Sequence, residues 1–378
     1  MKKLNNKGFS LVEILAAIAI LAILMSIAMT AYNTYKKKAK SQAYDTMAKS
    51  AKDAAENYLM DNPTTKRITF EKLWEEQYLD TITDPGKQSE NCRGKVIIEK
   101  IESGDNKLLD TNNYTVNVCC KKYNYTYSFP GGAKYEDDEC KADLYNVNDI
   151  TSIKVLHVYP HNDVSTKLTE WMNNYGSYAG RQIIHVTPVS IEDFNANPKD
   201  HLVISGKWKH DVIVFGFRDC NANKDLSAKA ATLVDEFLNK GHSAIFGHDT
   251  ITKGCGNHVN FITLKDHVAL DMTATNPYVN GTSVSIKKKG IFTQYPYNIG
   301  DVGTTLTVPE THVYGQIAKG EVWLTFTGNT DQYKSIYLST YGKNAFIQTG
   351  HKNGSATQDE QKIIANIIFF AKAKQLGL

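Results

Sequence analysis

Hydrophobic and polar positions fall into distinct regimes along the chain. From Phe9 to Ala31 the sequence reads FSLVEILAAIAILAILMSIAMTA, with Glu13 as its single charge. A run of this length spans a hydrocarbon core as an α-helix, since about 20 residues at 1.5 Å each cover roughly 30 Å. From Tyr32 the pattern turns amphipathic. Ala39, Ala43, Met47, Ala51, Ala54 and Tyr58 recur every three or four positions with Lys and Asp between them, a stripe of small residues suited to docking under a sheet. The pattern runs to Asn62-Pro63, because a proline disfavours the helical conformation in the residue before it. One helix from Phe9 to about Asp61, roughly 80 Å long at 1.5 Å per residue, is the first prediction.

Shorter periods follow Pro63. Residues 70–79 read as a brief helix, Asp84-Pro85-Gly86 as a turn, and 95–101, 114–120 and 123–129 as strands. Tyr114, Val116 and Val118 alternate with polar residues, and β-branched residues dominate the run before them. After the polar stretch 143–152 the runs 153–159, 181–189, 210–217 and 243–247 read as strands, with helical stretches at 164–175 and 226–239. Such alternation predicts βαβ units and a parallel sheet, and Gly241 is placed to cap the second helix. Further strands are expected at 305–308, 321–327, 336–341 and 345–349. A last helix opens at the capping box formed by Thr357 and Glu360. The expected fold class is α/β: a long N-terminal α-helix with a small antiparallel sheet, then a Rossmann-like α/β domain with a β-rich C-terminal part.

Composition narrows the function classes. The 378 residues are 42% hydrophobic and 22% charged, which excludes bulk disorder and allows two domains. A net charge of +3 without a basic block argues against nucleic acid as a partner. Only Arg67, Arg93, Arg181 and Arg218 could supply a guanidinium clamp. The six cysteines divide into Cys92, Cys119, Cys120 and Cys140, then Cys220 and Cys255. Outside the cell an even count reads as disulfides. Adjacent Cys119 and Cys120 face opposite sides of a strand, so Cys92 is expected to bond one of them and Cys140 the other. A zinc site is the competing reading, but it needs four convergent ligands and the paired C-x₂-C knuckles are missing. Cys220 and Cys255, in loops after neighbouring strands, are expected to bond to each other.

The N-terminus carries the most specific chemistry. A secretory signal peptide would end its apolar run at a small-residue cleavage site; here the basic leader MKKLNNKG comes first and no such site follows. An acid inside an apolar helix is costly unless a partner satisfies it, which marks Glu13 as functional. Lys7-Gly8-Phe9-Ser10-Leu11-Val12-Glu13 resembles the class III leader junction of type IV prepilins and pseudopilins. The resemblance covers residues 2 to about 140 and implies the pilin fold there: leader 1–8, assembly half of the stem 9–31, and head with the rest of the stem 32–142. It also implies cleavage between Gly8 and Phe9 by a prepilin peptidase, methylation of Phe9, and pairing of Glu13 with the N-terminal amine of a neighbouring subunit. Partners would be other pilin subunits, the peptidase and the pilus assembly machinery. The location would be the cytoplasmic membrane before assembly, then an extracellular pilus or the cell surface. Ala22 and Thr30 stand where many pilin stems carry Gly and Pro.

Loops at the C-terminal edge of a parallel sheet are where ligands bind. In residues 153–378 they contribute Asp219, His248, Asp249, His312 and His351 as a candidate ligand rim, which could hold a metal if the side chains converge. Tyr295, Tyr297, Tyr314 and Trp323 read either as a stacking surface or as core aromatics. Gly247-His248-Asp249-Thr250 and the later Gly350-His351 resemble segments of class I glutamine amidotransferase-like and trehalose-utilisation-type domains. The nucleophile elbow of that chemistry is missing: Asn221-Ala222-Asn223 follows Cys220, and no strand directly precedes Cys255. No catalytic residue is assigned, no activity is expected, and zinc is the only cofactor considered. The expectation is a minor or specialised type IV pilin displaying an accessory α/β domain for adhesion to, or recognition of, a host or surface glycan or protein. The alternatives are a surface-tethered hydrolase-like enzyme on a pilin stem and a pseudopilin of a secretion or DNA-uptake system.

Overall fold

The computed structural model describes residues 11–63, 65–85, 87–101, 111–120, 123–131, 134–137, 140, 145–251, 255, 258–272, 278–279, 281–313, 316–328, 335–350 and 354–378. The chain divides into two compact units, Met1–Leu144 and Tyr145–Leu378.

The first unit is built on α1 (Leu11–Asp61), 51 residues in one helix. No glycine or proline interrupts Leu11–Asp61, so nothing in its backbone breaks the hydrogen-bond ladder. Residues 11–39 are exposed, whereas Tyr44, Ala48, Ala51, Ala54 and Ala55 are buried. The docking stripe therefore differs in detail from the sequence expectation. Ala39 lies outside it, and Tyr44 and Ala48 take the centre, because Tyr44 stacks on Tyr123 and Tyr125. The sheet above the helix is an antiparallel meander of β1 (Arg67–Thr69), β2 (Arg93–Ile101), β3 (Thr111–Cys120), β4 (Tyr123–Phe129) and β5 (Lys134–Asp137), in that spatial order. A short helix, α2 (Phe70–Glu75), is capped by the Thr69 hydroxyl, which accepts from the Lys72 amide. In β3, Tyr114, Val116 and Val118 point into the core and Thr115 and Asn117 away from it. Disulfides join Cys92 to Cys120 and Cys119 to Cys140. The two neighbours in β3 thus tie the strand to different segments, as their opposite faces require.

The second unit is a nine-stranded mixed sheet. Its strands are β6 (Ile153–Tyr159), β7 (Ile184–Ser190), β8 (Val212–Phe215), β9 (Ser243–Phe246), β10 (Ser283–Ile286), β11 (Thr305–Thr307), β12 (Glu321–Phe326), β13 (Ile336–Tyr341) and β14 (Asn344–Ile347), ordered β7-β6-β8-β9-β14-β13-β12-β10-β11. The first five in that order are parallel and the last four antiparallel. Every residue of β8, β9 and β14 is buried, as a parallel sheet covered on both faces demands. The helices that cover it include α3 (Lys167–Tyr175), α4 (Ala228–Asn239) and α5 (Gln358–Gln375). Gly241, at φ +105°, ends α4 and donates to the Leu238 carbonyl.

Helix α5 is buried around most of its circumference, and three of its polar residues, Asn366, Lys372 and Gln375, have close partners. The Asn366 amide donates to the Phe292 and Tyr297 carbonyls at 2.7 and 2.8 Å. Lys372 pairs with Asp211 at 2.6 Å, and Gln375 donates to the Asp211 carbonyl and the Ser243 hydroxyl at 2.8 Å. Such partners are what a buried charge or amide requires. They fix the last helix against the strand starts.

Candidate functional site

Two places in the chain collect functional chemistry. At the stem, Gly8 and Phe9 lie outside the described residues. Glu13 stands in the first turn of α1 among exposed Leu11, Val12, Ile14 and Leu15, whose surfaces are 75%, 73%, 46% and 59% open. The apolar part of this helix is nowhere buried, and α1 is long and apolar enough to cross a membrane.

In the second unit the site forms at the carboxyl ends of the parallel strands. The order β7-β6-β8-β9 reverses direction between β6 and β8, the switch point at which such sheets open a crevice. Over that point Arg218, after β8, pairs with Asp163, after β6, and Asp163 also bonds His161 at 2.9 Å. The loops after β8, β9 and β14 then converge one strand further along. The amide of His248 donates to the Thr349 carbonyl, and Gly247 donates to Phe215. Gly350, at φ +102°, lies so close that a Cβ there would come within 2.1 Å of the Phe217 Cα, so no larger residue fits.

His248 is the centre of the cluster. It is fully buried, its Nε2 lies 3.0 Å from Asp249 Oδ2 and 3.8 Å from Asp219 Oδ1, and its Nδ1 donates to Gln348 Oε1 at 2.8 Å. The Thr311 hydroxyl is 3.4 Å from the same Nδ1. Asp249 is also buried and accepts the Cys220 amide at 2.9 Å, while the Asp219 side chain is 45% exposed. Burial alone would push the imidazole pKa down; the carboxylates of Asp249 and Asp219 and the Gln348 amide outweigh it and raise it to about 9. Without another cation His248 is an imidazolium held between two carboxylates.

The loops that carry this cluster are conformationally costly. Phe217, Cys220, Asn221, Ala222, Asn223 and Asp249 are six of the ten non-glycine residues with positive φ among the described residues. Each such residue costs about 1 kcal/mol or more. The Cys220–Cys255 disulfide and the Asp249–Cys220 bond hold them in place.

Of the rim residues expected from sequence, Asp219, His248 and Asp249 meet. The backbone of His312 pairs with Val279 in a short strand, and its side chain and all of His351 lie outside the described residues. Gln348 and Asp163 carried no motif of their own; only the ends of β14 and β6, read as edge positions, could have pointed to them. Trp323 is buried and donates to the Thr340 hydroxyl at 2.8 Å. Tyr295 stacks on Phe369 and Tyr297 packs edge-on against Tyr175, so these three are packing aromatics; Tyr314 lies outside the described residues.

Residues 3–29 match the family model described as the prokaryotic N-terminal methylation motif. This motif supports a type IV pilin-like or pseudopilin-type protein with a prepilin leader, anchored in a membrane before assembly. No curated protein matches the chain. Among solved structures it is similar to the mmIFT52 N-terminal domain, at 11% identity and TM-score 0.33, over 52% of this chain and 88% of that one. It is also similar to a β-galactosidase from Rahnella sp. R3, at 9% identity and TM-score 0.34, over 61% of this chain and 32% of that one. The chain thus spans about a third of the galactosidase. Likenesses at these scores bear on neither fold nor activity.

Proposed function

We propose that the chain is a minor or specialised type IV pilin that carries its second unit outward for adhesion or recognition. One observation supports it above all. The methylation motif at 3–29 overlaps, from Leu11, a helix whose first half is bare and apolar and whose second half is docked under a disulfide-tied antiparallel sheet. A bare apolar half-helix needs lipid before assembly and sister helices afterwards. Glu13 gives the packing its register, since an acid in that environment seeks the N-terminal amine of a neighbouring subunit. The second unit is the larger, and a densely packed shaft would be crowded by it, which favours a tip or occasional position. In this reading the amidotransferase-like character of residues 153–378 is a scaffold without the family's nucleophile, and its ligand is a surface glycan or protein.

Coexpression with a prepilin peptidase and assembly machinery tests the proposal. Expected are loss of residues 1–8, one methyl group on Phe9, and recovery of the protein in sheared surface filaments. Glu13→Val is expected to be processed but absent from filaments. A processed wild-type chain that stays with the envelope would support the pseudopilin reading instead, and an uncleaved chain would overturn both.

A further inference from the structure

We propose that Asp219, His248 and Asp249 form a binding site for one divalent cation of the zinc class, closed on the protein side and open to solvent at Asp219. The inference is independent of the pilin reading of the stem.

The donor set comes first. One ligand atom from each of His248, Asp249 and Asp219 lies within 4.8 Å of the other two. Atoms that share a zinc ion at about 2.0–2.2 Å sit roughly 3 to 3.5 Å apart, and the His248–Asp249 separation of 3.0 Å already meets that spacing. Asp219, at 3.8 Å and half exposed, needs only a small side-chain adjustment. One imidazole and two carboxylates suit zinc or a neighbouring first-row divalent ion, with remaining positions left for water or a ligand's oxygen.

The surroundings are those of a metal-binding histidine. Gln348 Oε1 accepts a hydrogen bond from Nδ1–H at 2.8 Å, which aims Nε2 at the two carboxylates, the role outer-shell acceptors play around metal-bound imidazoles. Burial of His248 and Asp249 holds two ligands rigidly, while Asp219 supplies the entry path. Cys220 and Cys255 flank Asp249, but their sulfurs are bonded to each other and so cannot serve as thiolate ligands. The disulfide instead fixes the loop that carries Asp219.

The test uses the full-length chain in detergent, without a polyhistidine tag and with disulfides intact. After stripping with a chelator it is titrated calorimetrically with zinc chloride, and bound zinc is counted by elemental analysis after gel filtration. Expected are one zinc per chain and a binding constant at least tenfold weaker in Asp219→Asn, a half-exposed change that preserves folding, and in His248→Gln. His267→Gln, at a surface His–Asp pair with Asp235 outside the cluster, is expected to leave binding unchanged. Absence of stoichiometric zinc, or one zinc bound equally well by wild type and Asp219→Asn, would overturn the site and leave the cluster as an ion pair that braces the rim.

Discussion

Glu360 shows how one buried group sets a measurable property. It is 1% exposed at the start of α5, where its amide caps onto Thr357 and its carboxylate accepts the Tyr337 hydroxyl at 2.5 Å. Burial pushes its pKa up to about 7, against the pull of the Tyr337 and Thr349 hydroxyls. The folded value lies above the unfolded one, so stability is undiminished below about pH 4.5 and falls as pH rises toward 7, by about 3 kcal/mol in all. Glu360→Gln removes that titration. Its unfolding midpoint is expected to gain on wild type steadily between about pH 5 and 7, with the full advantage at pH 8. A difference that does not change with pH would mean the carboxyl titrates normally. The sequence marked Glu360 only as half of a capping box; its proximity to Tyr337, on β13, had no local signature.

At the scale of elements, α1 is one helix with two unlike halves. Its extent was readable because helix-forming residues and the missing Gly and Pro act within a few positions. Its buried face was readable only roughly, because which small residues touch the sheet depends on where Tyr123 and Tyr125 stand. Ala48 and Ala51 are both fully buried, so Ala48→Leu or Ala51→Leu forces extra methylenes under the sheet and is expected to cost about 1–3 kcal/mol in urea unfolding. Ala17→Leu, in the exposed half, is expected to leave that transition unmoved. Equal effects at both places would contradict the division of the helix. The short strands β1, β5 and β10 have no clear signature in the sequence. They hold only three or four residues each, too few for a period to register.

Across the second unit, the titration of buried histidines sets the pH range of stability. Burial pushes His157 down to about 3 and His210 and His242 to about 4. Each is neutral in the fold and takes a proton more readily when unfolded, so stability falls as pH drops below about 6.5. In the metal-free protein His248 acts in the opposite sense: raised to about 9, it contributes fully below about 6.5 and loses that contribution as pH rises through 9. Three histidines outweigh the single contrary slope of Glu360, and stability is expected to peak between about pH 6 and 7 in denaturant titrations. A profile flat from pH 4.5 to 8.5 would contradict the burial of these rings. The sequence by itself determined what depends on neighbours a few residues away: the leader junction, the length of α1, the βαβ alternation, the caps at Gly241 and Thr357. Only the tertiary structure decided which of Cys119 and Cys120 bonds Cys92, how nine strands are ordered, and that Asp219, His248, Asp249 and Gln348 share one site. Helical and strand periods are written locally, whereas those pairings depend on bringing distant segments together, and strand order alone sets His248 beside a residue 100 positions away.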